Sequence, residues 1–365
     1  MRVSMLLLTA SIFASPAANV VTTAFAAKPA DSRTMERADQ DMRDVLVMFD
    51  KLGPKPLAEL QPEEARRQPT PADAVAALLK QQGKNAEALK QQSGVVTQDV
   101  KYPNAAGTQI AARIYKPKDA SPNLPVILYI HGGGWVIADL DTYDATPRAL
   151  AKKANAIVIS VHYRQAPEFK FPASHDDTVD AYKWVLAEAQ GWGGDAKRIA
   201  VVGESAGGNM AMGVAIAARD QRLQMPVHVV AVYPVAGTNL DTPSYHENED
   251  AKPLNKAGMA WFFKHETNGE ADLKDPRLDL NQSANLKGLP STTIITAEID
   301  PLRSDGEILA KRLTEAGVKT AAKNYEGVTH EFFGMDAVVK DAAAAQDFAV
   351  QELKKAFGGK SAQSN

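Results

Sequence analysis

Apolar positions along the chain follow three successive patterns. In residues 28–93, Met42, Val45, Leu46, Phe49 and Leu52 recur at helical spacing. Pro54 and Pro56 end that helix, residues 72–79 predict another, and Gly83 and Gly94 mark stops. From residue 95 the period changes. Residues 95–102 and 109–115 alternate as an antiparallel strand pair. Continuous apolar runs follow at 126–130, 157–161, 199–202, 227–233 and 292–296, with a last strand at 319–325. Runs apolar on both faces indicate buried parallel strands. Helical segments at 142–154, 174–189, 206–219, 304–316 and 336–357 lie between or after them. This alternation predicts an α/β architecture: a mostly parallel, eight-stranded sheet with helices on both faces. Residues 237–290 interrupt it, and a helix near 256–265 is expected to join the N-terminal helices in a cap.

The third pattern is at the start. Met1 and Arg2 precede a short apolar run over residues 3–14, and Ala24-Phe25-Ala26 precedes Ala27 and Lys28. This reads as a secretory signal peptide cleaved after Ala26, hence a protein exported to the periplasm or beyond. The run is too short and too rich in Ser and Thr for a stable membrane span. The expected organisation is a leader (1–26), an N-terminal helical cap segment (27–94), a catalytic domain (95–358) carrying the 237–290 insertion, and a disordered tail (359–365). The formal net charge of −3, without a basic run, gives no nucleic-acid footprint. The absence of Cys excludes disulfides, thiolate catalysis and zinc–thiolate sites. No ligand set for a metal stands out, and the Asp176-Asp177 pair reads as structural.

Candidate chemistry begins at Gly203-Glu204-Ser205-Ala206-Gly207, between a strongly apolar strand and a helix start. A Gly-x-Ser-x-Gly turn in that setting holds a serine in a strained conformation at a helix N-terminus, where negative charge is favoured. His131-Gly132-Gly133-Gly134-Trp135 directly follows an earlier strand. Its backbone N–H groups, with that of Ala206, suit an oxyanion that develops during acyl transfer. Either Gly132 with Gly133 or Gly133 with Gly134 could donate. His131 reads as a structural residue. The base must reach Ser205 from another strand end. Of the histidines after Ser205, His228 lies in a strand and His246 and His265 in the expected cap, which leaves His330. The orienting acid should end the preceding strand: Asp300 is first choice, with Glu298 and Asp305 as alternatives.

With these residues in place, the chain resembles the bacterial hormone-sensitive-lipase-type carboxylesterases, the His-Gly-Gly-Gly branch of the α/β-hydrolases. The resemblance runs from about residue 40 to the last helix. Besides the two glycine motifs it rests on Tyr163-Arg164, Phe171-Pro172, Asp176-Asp177, Tyr233-Pro234, Asp275-Pro276-Arg277, Asp300-Pro301-Leu302-Arg303 and His330-Glu331-Phe332. It implies an α/β-hydrolase fold and a triad of Ser205, Asp300 and His330. It also implies hydrolysis of short- to medium-chain esters without metal or cofactor, on a small-molecule substrate. Glu204 stands where the family usually has Asp or Thr, and Ser304 where Asp is common. Trp135, Trp261, Phe262 and Phe263 are candidates to line the acyl pocket, Trp135 first because it lies beside the glycine loop, with core or cap packing expected for most of them. The same triad serves amidases, peptidases, polyester hydrolases and lipases, and a non-catalytic binding homologue would typically have lost the acid or His. The oligomeric state is open, with a homodimer compatible.

Overall fold

The computed structural model describes residues 30–358, so the expected leader and tail lie outside the described residues. Eight strands, β1 (Val95–Pro103), β2 (Gln109–Pro117), β3 (Leu124–Ile130), β4 (Ile157–His162), β5 (Gly194–Glu204), β6 (Val229–Val232), β7 (Thr292–Ile299) and β8 (Thr320–Thr329), form one sheet. Their order is β1-β2-β4-β3-β5-β6-β7-β8. β2 is antiparallel to both of its neighbours. Every other neighbouring pair is parallel, because strands joined by helical crossovers return in the same direction.

The central strands are apolar throughout because each face meets a different core. In β3, Val126, Leu128 and Ile130 point into one cluster, while Ile127 and Tyr129 point into the other. The first face is covered by helices Ala173–Glu188, Ala206–Asp220 and Arg303–Glu315, through Tyr182, Val185, Met210, Val214, Leu309 and Leu313. The second is covered by helices Ala145–Ala154 and Lys340–Ala356, through Leu150, Ala349 and Leu353.

Several boundaries differ from expectation, and three of them have a physical reason. β8 continues to Thr329 instead of stopping at 325. Gly327 interrupts the pattern and mimics a strand end, but the strand absorbs it as a register shift and pairs again at Ile299 and Thr329. β5 begins at Gly194, well before 199, because Asp195, Lys197 and Arg198 interrupt the apolar run that would mark it. The last helix starts at Lys340, after a 3₁₀ turn at Phe332–Gly334.

The N-terminal segment is not purely a cap. Helix Gln40–Leu52 buries Met42, Val45 and Leu46 in the second core beside Val328 and Phe332. Beyond it the chain meets the insertion over the carboxyl ends of the strands. Trp261, on helix Lys256–Glu266, donates its indole N–H to the Leu60 carbonyl at 2.9 Å. Lys252 pairs with Asp50 at 2.8 Å.

Leu128 is fully buried in the central strand β3. Leu128→Ala should lower unfolding free energy by about 2–5 kcal/mol in urea titration; a loss under about 1 kcal/mol would contradict the packing described.

Candidate active site

β5 ends at Glu204, and Ser205 caps helix Ala206–Asp220. The turn between them is sharp enough that Ser205 has φ 56° and ψ −120°, a strained backbone for a residue with a side chain. Close approach explains the flanking glycines. A Cβ at Gly203 would collide with the Gly207 carbonyl, and one at Gly207 with the carbonyls of Ile130 and His131. The Ser205 N–H donates to the Val232 carbonyl at 2.9 Å, which ties the turn to β6.

β7 and β8 bring two further groups to the same sheet edge. His330 Nε2 lies 3.0 Å from Ser205 Oγ, and its Nδ1 lies 2.7 Å from Asp300 Oδ2. The other Asp300 oxygen accepts the Leu302 N–H at 2.8 Å, so both oxygens are used. Asn248, from the insertion, donates to the Asp300 carbonyl at 3.0 Å. Burial works against a charged His330, yet the Asp300 carboxylate, with Glu331 and Glu204 nearby, raises its pKa above the ordinary 6.5.

The alternative acids are engaged elsewhere. Asp305 accepts the N–H groups of Ala236 and Gly237 at 3.0 and 2.9 Å. Glu298 binds Arg37 and the Gly327 N–H. His131 is enclosed: Nδ1 contacts the Gly132 carbonyl at 2.9 Å and the ring stacks on Tyr163. Burial lowers its pKa to about 3, so it stays neutral. Asp177 is buried and accepts two guanidinium N–H bonds from Arg164, which fixes the segment after β4.

A cavity of about 510 Å³ opens over Ser205 and His330, and Gly133, Gly134 and Phe262 also line it. Among the described residues, the N–H groups of Gly133 and Gly134 donate to no protein acceptor. Ala206 opens its helix, so its N–H lacks an intrahelical acceptor. Gly132 does not line the cavity; its carbonyl accepts the Tyr163 hydroxyl at 2.8 Å. The expectation for Trp135 is corrected. Its ring is fully buried against His175 and Phe263, because φ 62° at Trp135 turns the side chain into the core. Phe262 takes the wall position instead, and its ring fills the space a side chain at Gly134 would need.

Three features were not anticipated. The Glu204 carboxylate accepts the Tyr129 and Tyr233 hydroxyls, each at 2.5 Å. Burial pushes its pKa up to about 7, with the two tyrosines opposing. The Tyr233 ring lies 4.4 Å from that of His330. Glu331 accepts the Tyr143 hydroxyl at 2.5 Å. No periodicity signals such partners, because each pair is distant in sequence.

Comparison with known proteins decides the family. The α/β-hydrolase fold family matches residues 127–334. A carboxylesterase of Mycobacterium tuberculosis, NlhH, is 41% identical over 258 residues, 68% of this chain and 79% of that protein. Ethyl acetate hydrolase of Pseudomonas putida is 33% identical over 304 residues, 82% of this chain and 92% of that protein. Among solved structures, a hyperthermophilic esterase from the archaeon Pyrobaculum calidifontis superposes with a TM-score of 0.75 at 31% identity, covering 87% of this chain and 98% of that one. The chain belongs to the α/β-hydrolase family. Within it, the chain is of the hormone-sensitive-lipase type, among carboxylic ester hydrolases.

In this hydrolase the His330 resonance, followed by NMR, should titrate above 6.5. In Asp300→Asn the largest opposition to burial is lost, and the midpoint should fall from its wild-type position. An unchanged midpoint would contradict the coupling.

Proposed function

We propose that the protein is a serine carboxylesterase that cleaves short- to medium-chain esters through an acyl-enzyme on Ser205. The observation that carries this reading is the His330 imidazole bridging Ser205 Oγ at 3.0 Å and Asp300 at 2.7 Å, beneath a cavity with unused backbone donors. His330 Nε2 takes the Ser205 proton as Oγ attacks the ester carbonyl. Charge develops on the carbonyl oxygen, where the N–H groups of Gly133, Gly134 and Ala206 stabilise it. His330 then gives its proton to the leaving alcohol, whose departure leaves the acyl group on Ser205. Water, deprotonated by the same nitrogen, attacks that acyl group, and the carboxylic acid and free Ser205 result. Asp300 holds the tautomer with a proton on Nδ1 and stabilises the imidazolium without becoming protonated.

Cavity size and lining support the substrate class. A volume of about 510 Å³ with apolar walls from Ile137, Leu254 and Phe262 suits a small ester. Export is also proposed, on the charged, apolar and Ala-x-Ala order of residues 1–26.

Ser205→Ala should lower kcat on p-nitrophenyl butyrate by roughly 10⁴-fold or more, with an unchanged circular dichroism spectrum. Butyrate should be a better substrate than palmitate. Activity within about tenfold of wild type in the purified variant would overturn the assignment. The acid limb of kcat/KM should have its midpoint above 6.5, since only neutral His330 accepts the proton and its pKa is raised; a profile flat from mildly acidic to neutral pH would contradict the role of His330.

A further inference from the structure

The residue after His330 carries a carboxylate that the reaction above leaves unused. Glu331 has φ 72°, a left-handed backbone that glycine adopts freely and a larger residue does not. Its side chain is nonetheless held in place. The Tyr143 hydroxyl donates to Oε1 at 2.5 Å, and the same oxygen lies 3.9 Å from His330 Nε2. Tyr143 is itself wedged against the glycine loop, since a Cβ at Gly132 would collide with its hydroxyl. Oε2 has no hydrogen-bond partner among the described residues and is open to solvent, and Glu331 lines the cavity.

The remaining charges on that wall are engaged or remote. Lys252 pairs with Asp50, and Arg66 with Glu168. Asp139 accepts the N–H groups of Asp141 and Thr142, and Lys55 is exposed to solvent. Glu331 therefore brings a carboxylate with a free oxygen to the cavity wall, its other oxygen 3.9 Å from His330 Nε2. Its position singles out one part of the substrate. His330 Nε2 protonates the leaving alcohol, so the alcohol oxygen must come within hydrogen-bond reach of Nε2. The first few atoms beyond that oxygen then pass beside Glu331.

We propose that Glu331 determines specificity by selecting esters whose alcohol portion carries a positive charge a few bonds from the ester oxygen. The inference deepens the esterase reading and rests on it. A cation there meets a carboxylate in a partly dehydrated cavity, where attraction between charges exceeds that in water. Burial raises the Glu331 pKa, while His330 and the Tyr143 hydroxyl pull it back; a substrate cation acts in the second direction and favours the charged form.

The test compares 2-(trimethylammonio)ethyl acetate with its uncharged carbon isostere, 3,3-dimethylbutyl acetate. Wild-type enzyme should show a higher kcat/KM for the cation, and Glu331→Gln should reduce the cation-to-isostere ratio about tenfold. Glu331→Gly, which suits the left-handed backbone, provides a second variant should the glutamine protein fail to fold, and the same reduction is expected. The ratio is read whatever the absolute rates. Hydrolysis of the isostere with a wild-type ratio at or below one, or a ratio unchanged in the variants, overturns the role of Glu331 and leaves the esterase reading standing. No hydrolysis of either acetate or of p-nitrophenyl butyrate overturns both.

Discussion

The site depends on one side chain bonded in two directions. His330 is almost wholly buried, and burial alone would deny it a proton. The carboxylate of Asp300 at 2.7 Å reverses that balance and raises the imidazole above its ordinary value, the direction that a base for Ser205 requires. The two contacts demand that three chain segments arrive at one sheet edge within a few tenths of an ångström. β5 delivers Ser205, β7 delivers Asp300 and β8 delivers His330. A parallel sheet solves this geometrically, because successive strands all end on the same side.

Around that axis the carboxyl groups are held by fixed partners. Asp300 is oriented by the Leu302 N–H, and its carbonyl is held by Asn248, which reaches in from the insertion. Tyr233 couples the His330 ring to Glu204, the residue before Ser205, and Tyr129 completes the grip on that carboxylate. Glu331 and Tyr143 form a second carboxylate–phenol pair on the cavity side. The carboxyl groups of Asp300, Glu204 and Glu331 thus lie around the imidazole, while the unused backbone N–H groups of Gly133 and Gly134 sit at the cavity wall. In the proposed reaction this separation would serve the imidazolium on one side and the oxyanion on the other.

Much of this architecture is legible in the sequence because it is written in local patterns. Continuous apolar runs identify β3 to β7, since burial on both faces leaves no alternation to read. The glycines around Ser205 and the run from Gly132 to Gly134 are legible because steric contact allows nothing larger at Gly203 and Gly207. Other features depend on how distant segments meet. Gly327 looks like a strand end, although pairing with β7 carries β8 past it. Trp135 looks like a pocket residue by its place in the chain, but the left-handed turn at that residue sends its ring into the core and leaves the wall to Phe262 from the insertion. The tyrosine partners of Glu204 and Glu331 come from strands and loops far away in sequence, so neither carboxylate could be assigned a neighbour beforehand.

The central claim is that one serine, made nucleophilic by His330, performs the chemistry. Covalent trapping reads this directly. The protein would be treated with a p-nitrophenyl alkylphosphonate and its proteolytic peptides sequenced by mass spectrometry. One adduct per chain is expected, on Ser205, forming at a rate that collapses in His330→Ala. An adduct on a different residue, or labelling of Ser205 at an undiminished rate without His330, would contradict it.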